Sequence, residues 1–249
     1  IDTLAPTVSS VAITSATGIE NATLNAGDVV TATVIMSEAT TVTGTPQLDL
    51  NIGGTTVQAN YAAGSGTNTL TFTYTILATQ TDANGISIAA NALKLNSGTL
   101  KDAAGNNAVL SHALVSDNAS YMVDTLAPTV SSVVIDDKLI TDADGSKTVT
   151  ATITFSEAMN QTLAPTITNN ANTTLTNAVN GKWTSSTTYT IEYKVADVNV
   201  ELADVKFNVS GAKDLAGNTQ TAVTDVTTGT KIDTLAPTVS SVAITSATG

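Results

Sequence analysis

The stretch TLTFTYTIL, residues 69–77, decides the fold class because polar and apolar side chains alternate strictly along it. An extended chain places alternate side chains on opposite faces, so one face is apolar and the other consists of threonines. Threonine suits the outer face since it is both β-branched and polar. The stretch therefore predicts a β-strand with one buried face, which carries Leu70, Phe72, Tyr74 and Ile76.

Other segments show the same alternation. Residues 30–36 have a counterpart in residues 149–155, and the pattern of residues 69–77 returns in residues 189–195. Residues 88–95 are rich in alanine and could instead hold a short helical turn. Further strands are predicted at residues 8–14, 47–52, 57–61, 85–90 and 120–123.

Turn-forming residues separate these segments. Clusters of Gly, Asn and Asp occupy residues 53–54, 64–68 and 82–85. About seven short strands in about 110 residues, with no strongly amphipathic helix, are typical of an immunoglobulin-like β-sandwich. We therefore predict an all-β protein built from such sandwiches.

An internal repeat indicates how many units the chain holds. The sequence IDTLAPTVSSVAITSATG occupies residues 1–18 and again residues 232–249, and the variant VDTLAPTVSSVVI begins at Val123. Three starts of one unit predict two complete domains, residues 1–123 and 124–232, and an incomplete third repeat, residues 233–249, in an elongated tandem array. We expect the third copy to supply one strand at residues 239–245.

The charge balance excludes several classes of partner. The 249 residues include 21 acidic and 9 basic residues, every basic residue is a lysine, and the net charge is −12. Nucleic acid and anionic membranes would be repelled, and no apolar run is long enough to span a membrane. The chain has no cysteine, so disulfides cannot stabilise it. Clustered carboxylates must therefore stay apart or share a metal ion.

Three acidic blocks recur in both units: the linker Asp, a Ser-Glu-Ala block and a KDxAGN turn at residues 101–106 and 213–218. In an immunoglobulin-like sandwich the entry to the first strand, the loop after the second and the loop before the last lie at one end. Three converging carboxylates would resist ionisation, and Ca²⁺, with its six to eight oxygen ligands, resolves that conflict. The expected calcium ligands are Asp2, Glu38 and Asp102 in the first unit, and Asp124, Glu157 and Asp214 in the second.

The opposite end of each unit offers further candidate ligands. The second unit has Asp142 and Asp144 in a TDADGS turn, and the first has Asp82 in a TDANG loop. A cation at the junction could take ligands from this end as well as from Asp124 in the linker. Pro6, Pro128 and Pro237 stiffen the linkers because proline fixes its own φ angle.

Taken together and in order, the VDTLAPTV junction, the Ser-Glu-Ala block, the KDxAGN turn and the threonine-rich strands resemble the calcium-dependent immunoglobulin-like repeats of giant bacterial surface adhesins of the RTX type. The resemblance covers the whole chain. It implies an extracellular, cell-surface location and a role as a stiff extender that projects a binding tip.

The resemblance also implies calcium between domains, bound by Asp124, Glu157 and Asp214 and, by the repeat, by Asp2, Glu38, Asp102 and Asp233. The partners of the chain would then be calcium ions and neighbouring repeats, and the segment itself would be a monomer. One departure is that the Asp142 and Asp144 turn has no acidic match in the first unit.

Simpler interpretations remain open for each feature. The KDxAGN aspartates could only hold a tight turn, the linker aspartates could only cap the first strand, and the glutamates could be solvated. Threonine faces would also suit an adhesive module that binds polysaccharide or ice. His112 is expected to be an ordinary surface residue. Trp183 is expected to lie partly in the core, with a carbohydrate-binding surface as the alternative, and no paired acid and base indicates an enzyme.

Overall fold

The computed structural model describes residues 1–245, whose regular secondary structure is β-strand apart from one 3-10 turn. The prediction of an all-β protein is confirmed. The described residues divide into two compact units: residues 1–126 together with 215–218 form the first, and residues 127–214 together with those from 219 onwards form the second. No helix among the described residues is long and apolar enough to cross a membrane.

The first unit is built on two sheets. Its strands are β1 (Val8–Thr17), β2 (Thr23–Leu24), β3 (Val29–Thr43), β4 (Gln47–Ile52), β5 (Thr55–Ala63), β6 (Thr67–Thr75), β7 (Thr81–Asp82), β8 (Leu93–Lys94), β9 (Thr99–Lys101) and β10 (Met122–Asp124). The larger sheet has the order β1-β3-β6-β5-β4-β8, with β9 paired to the far end of β3. The smaller sheet has the order β2-β10-β7.

Side-chain alternation explains the core of the first unit. Along β3 the buried and partly exposed residues alternate from Val30 to Met36, as the sequence predicts. Leu70 and Phe72 of β6 are fully buried beside them, while Tyr74 packs against the core from a partly buried position. The ladder pairs Thr31 with Thr73 and so aligns threonines on the outer face.

The second unit contains three sheets. Its strands are β11 (Val130–Ile135), β12 (Leu139–Thr141), β13 (Thr148–Phe155), β14 (Thr166–Asn169), β15 (Leu175–Trp183), β16 (Thr188–Val195), β17 (Glu201–Leu202), β18 (Lys206–Ser210), β19 (Val223–Thr227) and β20 (Lys231–Asp233), with a 3-10 turn over Asp142–Asp144. The sheet orders are β11-β13-β16-β15, β12-β20-β17 and β14-β18-β19. A separate apolar cluster fills this unit, with Phe207 fully buried in it.

The repeat is visible in how each unit closes. β10 pairs in parallel with β2 and antiparallel with β7, and β20 pairs in parallel with β12 and antiparallel with β17. The residues that open each later sequence repeat therefore complete the sheet of the unit before them. Asp124 and Asp233 are the last residues of these two strands.

The sequence-based prediction of a strand at residues 85–90 is wrong. Residues 85–90 form only isolated bridges, because Gly85 and Asn91 have positive φ angles that bend the chain on either side. The alternative of a helical turn over residues 88–95 is also wrong, since a turn at 90–91 leads into β8.

Residues 239–245 form no strand, although strands β1 and β11 have nearly the same sequence. Those two strands pair with β3 and β13, whereas residues 239–245 pair with no strand among the described residues. The rest of the predicted third repeat, residues 246–249, lies outside the described residues.

Candidate functional site

Three parts of the chain bring together the first acidic group, which consists of Asp2, Glu38 and Asp102. Glu38 lies within β3, at an irregularity in its pairing with β6 between Ile35 and Thr40. Beyond this point β3 pairs with β9, and Asp102 follows β9 directly. Asp2 lies in the segment that leads into β1. Residues distant in sequence thus meet because β3 changes partners at Glu38.

The linker is attached to the Ser-Glu-Ala block by two hydrogen bonds. The Thr7 amide donates to the Ser37 hydroxyl at 2.9 Å, and the Ser37 amide donates to the Thr7 carbonyl at 2.8 Å. The Val109 amide also donates to the Pro6 carbonyl at 2.8 Å. These bonds fix the chain that carries Asp2 against the end of the sheet.

The three carboxylates have a spacing that one cation can accept. Asp2, Glu38 and Asp102 each offer an oxygen, and these oxygens lie within 4.8 Å of one another. Two oxygens on one Ca²⁺ are separated by at most about 5 Å, because each Ca–O distance is about 2.3–2.6 Å. Within residues 1–245, none of the three carboxylates forms an ion pair with a lysine. The donor set therefore fits a hard divalent cation.

Asp102 is the buried member of the group, with 5% of its surface exposed. Burial raises the pKa of its carboxyl, but hydrogen bonds from Asn106, Gly105 and Ala104 outweigh burial and leave this pKa below its usual value of 3.8. The Asn106 amide donates to Oδ1 at 2.8 Å, and the Asn106 side chain donates to Oδ2 at 2.6 Å. Asp102 is therefore held in its charged form.

Asn106 also contacts the linker, a role that sequence reasoning missed. Its side-chain Nδ2 lies 3.3 Å from the carbonyl oxygens of Asp2 and Leu4, to which it donates. Asn218, its counterpart in the second KDxAGN turn, donates to the carbonyl of Asp124 at 2.9 Å. This Asn recurs in both turns of the sequence, and that recurrence could have marked it as a functional residue.

The second unit repeats much of this arrangement. Glu157 and Asp214 offer carboxylate oxygens within 4.8 Å of each other, and Asp214 is 1% exposed. The Ser156 amide donates to the Thr129 carbonyl and the Thr129 amide to the Ser156 hydroxyl, both at 2.9 Å. The same sequence blocks thus fold in the same local way.

The linker aspartates also make the local bond that the simpler interpretation expects. Oδ1 of Asp2 accepts the Leu4 amide at 3.0 Å, and Oδ1 of Asp124 accepts the Leu126 amide at 3.0 Å. Each of these bonds uses one of the two carboxylate oxygens, Oδ1. Turn formation and cation binding are therefore compatible at both residues.

The structure gives Asp144 a different set of contacts. Its Oδ1 accepts the Lys147 ammonium at 2.6 Å, and its Oδ2 accepts the amide and hydroxyl of Thr141 at 2.8 and 2.9 Å. These bonds lower the pKa of Asp144 to about 2. Lys147 already supplies the countercharge that the sequence prediction assigned to a cation, while Asp142 is exposed on the same 3-10 turn.

Asp82 also has a structural role. It is 4% exposed, and its carboxylate accepts the Gly53 amide at 2.8 Å and the Gly85 amide at 3.0 Å. Both glycines have positive φ angles, so Asp82 joins two tight turns. The sequence also predicted four further ligands: Asp82, Asp142, Asp144 and Asp233. Among the described residues, none of the four belongs to a group of three potential metal-ligating side chains.

Two aromatic residues were singled out from the sequence. Trp183 packs between Phe155 and Tyr189, with ring centroids 5.4 and 5.2 Å away, and is partly buried against the second core, as predicted. His112 is half-buried instead of fully at the surface, and its Nε2 accepts the Ala92 amide at 2.9 Å.

No protein-family model matches the chain, and no curated protein matches it significantly.

Proposed function

We propose that this chain is an extender segment of a bacterial cell-surface adhesin. In this proposal its units are tandem immunoglobulin-like domains, and calcium bound at their junctions stiffens the chain so that a distal binding domain is projected from the cell. The observation that carries the proposal is the convergence of Asp2, Glu38 and Asp102 within 4.8 Å. The same three blocks recur in sequence as Asp124, Glu157 and Asp214.

The position of the linker aspartate supports a stiffening role. Asp124 ends β10, a strand of the first unit, and the Thr125 hydroxyl donates to the Gln80 carbonyl at 2.9 Å. Glu157 and Asp214 belong to the second unit. Because Asp124 corresponds to Asp2 in the repeat, a cation that takes all three carboxylates would join the two units.

Site chemistry favours calcium over magnesium. The site draws its carboxylate oxygens from a linker, a strand irregularity and a turn, and Ca²⁺ tolerates irregular geometry, whereas Mg²⁺ demands a near-ideal octahedron. Calcium is also abundant outside cells, where sites of modest affinity suffice. The absence of cysteine agrees with a chain that relies on another means of reinforcement.

A calcium titration followed by NMR tests this proposal. In the chelator-treated chain, the amides of Asn106 and Asn218 should shift on adding Ca²⁺, with a Kd of about 10⁻⁴ to 10⁻³ M. Asp102→Asn should remove the response at Asn106 and leave that at Asn218, and Asp214→Asn should do the reverse.

Asp225→Asn is the matched control, because Asp225 is exposed and its φ angle of 54° suits asparagine. It should retain both responses. Calcium shifts that persist unchanged in the Asp102→Asn, Asp214→Asn double variant would contradict the assignment.

A second candidate function is a ligand-binding module that uses the threonine faces. Its support is the register of β3 and β6, which pairs Thr31 with Thr73 and Thr33 with Thr71 on the outer face of the larger sheet. On the related face of the second unit, Glu192 stands opposite Thr150. Binding of the first unit's face to a glycan array or to ice, abolished by Thr71→Lys, would favour this alternative.

A further inference from the structure

The sequence contains asparagine followed by glycine at two places, Asn84 with Gly85 and Asn180 with Gly181. This dipeptide is typical of two-residue hairpin turns. It is also the pair in which the backbone nitrogen of the second residue attacks the asparagine side chain most easily, because glycine has no Cβ to obstruct the approach. Since the two dipeptides are identical, their folded surroundings decide which asparagine can react.

Asn180 and Gly181 lie within a strand and not in a hairpin turn. Their strand, β15, is at the edge of its sheet, and its pairing with β16 shifts register between Val179 and Lys182. Such a bulge leaves residues outside the regular ladder. Both residues of the dipeptide are exposed, and Asn180 has a φ angle of 53°. The dipeptide is therefore open to water at a point where the backbone departs from the sheet.

Packing explains why glycine occupies position 181. A Cβ added to Gly181 would overlap the hydroxyl oxygen of Tyr189. Tyr189 is itself fixed, since it is buried and its ring packs edge-to-face against Trp183. The second core thus keeps at position 181 the residue that hinders attack on Asn180 least.

The other dipeptide is held by its neighbours. Gly85 is buried, its amide donates to Oδ1 of Asp82 at 3.0 Å, and the Asn84 side chain donates to Asp117. A Cβ added to Gly85 would overlap the carbonyl oxygen of Asn118, so the backbone is closely packed there. Bringing the Gly85 nitrogen to the side-chain carbon of Asn84 requires the backbone to rotate, which would break these hydrogen bonds.

We propose that Asn180 is a site of spontaneous deamidation and that Asn84 is protected from it. The Gly181 nitrogen loses its proton and bonds to the carboxamide carbon of Asn180. The bond from that carbon to Nδ2 breaks, and the departing group takes up a proton and leaves as ammonia. Water then opens the resulting succinimide at either carbonyl, so the product is aspartate or isoaspartate.

The product changes the contact between β15 and β16. Nδ2 of Asn180 donates to Oε2 of Glu192 at 2.7 Å. Deamidation replaces this donor with a carboxylate, so a favourable hydrogen bond becomes a repulsion between two like charges. Conversion at Asn180 should therefore loosen the edge of this sheet.

Incubation of the folded chain in mildly alkaline buffer, followed by tryptic mass spectrometry, tests the proposal. Every basic residue is a lysine, so trypsin releases Asn84 in the peptide that ends at Lys94 and Asn180 in the peptide that ends at Lys182. Asn180 should show the mass change of an amide converted to an acid. Asn84 should convert at least about tenfold more slowly, because its hydrogen bonds must open first. Asn180→Gln should remove the change, since its longer side chain does not form the five-membered ring.

The same incubation in urea shows what the fold contributes. Both asparagines should then convert at similar rates, because no folded contact protects Asn84. The proposal is overturned if Asn180 converts only in urea, or if it exceeds Asn84 in the folded chain by no more than it does in urea. Asn180→Asp tests the consequence: calorimetry should show a lower melting temperature for the second unit, and an unchanged one would refute the loosening of β15.

Discussion

At the scale of single residues, the acidic site depends on groups that hold the carboxylates in place. The sequence identified Asp2, Glu38 and Asp102 as converging, because each lies in a block that the repeat retains. It did not identify Asn106 as their link, since its contacts with Asp2 and Leu4 join residues about a hundred positions apart in the chain.

Asn106→Ala tests this link. Without the side-chain donor, the pKa of Asp102 should rise, and the linker should lose its bonds to the KDxAGN turn. The melting temperature of the first unit should fall by roughly 5 °C. Differential scanning calorimetry measures the second effect, and the exposed neighbour Asn107→Ala is the control. An unchanged melting temperature would show that Asn106 does not hold the linker.

A second prediction concerns Asp144, whose role as a partner of Lys147 could not be predicted from the TDADGS turn alone. Because its pKa is lowered from 3.8 to about 2, its contribution to stability is present above pH 4 and is lost as the pH falls towards 2. Lys147→Met should raise this pKa and reduce the change in stability between pH 4 and 2.

Acid titration of the Asp144 carboxyl by NMR, together with urea unfolding at each pH, measures both effects. Lys182→Met, at an exposed position of β15, provides the control. If Lys147→Met and Lys182→Met titrate alike, Lys147 is not the main cause of the lowered pKa.

At the scale of elements, strict alternation predicted β3, β6, β13 and β16 well, since each has one face in a core. The short strands β2 and β7 could not be predicted, because two residues show no period and form a strand only beside β10. β15 was not predicted for another reason. Register shifts interrupt its pairing with β16, and Asn177 and Asn180 have positive φ angles, so its sequence does not alternate regularly.

Separate cores predict separate effects on unfolding. Phe72→Ala removes a fully buried ring from the first core and should destabilise that unit by about 3–5 kcal/mol. Phe207→Ala should do the same for the second unit. Calorimetry of the two variants should show each lowering a different component of the unfolding transition. A common shift of the whole transition would mean that the units unfold together.

At the scale of the whole molecule, the repeated sequence predicted two units, and the structure divides after Leu126 because β10 completes the first unit. The sequence also predicted the carboxylate blocks. The sequence could not show which carboxylates already have a partner. The contact of Asp144 with Lys147, for example, is known only from the folded structure.

Calcium should act more on the junction than on the units themselves. With a Kd of about 10⁻⁴ to 10⁻³ M and free calcium at about ten times Kd, each site adds only about 1.4 kcal/mol. That is a small part of the stability of a folded domain, about 5–15 kcal/mol, but it is enough to favour one arrangement of a linker by about tenfold. Removal of calcium should therefore leave both units folded.

Small-angle X-ray scattering with calcium and with chelator distinguishes a junction stiffened by calcium from one that is not. Chelation should broaden the distribution of interatomic distances and change the maximum dimension while circular dichroism still reports folded β-structure. Asp124→Asn should reproduce this change in calcium, and Asp225→Asn should not. Scattering curves and melting temperatures that are the same with and without calcium would show that calcium does not stiffen the chain.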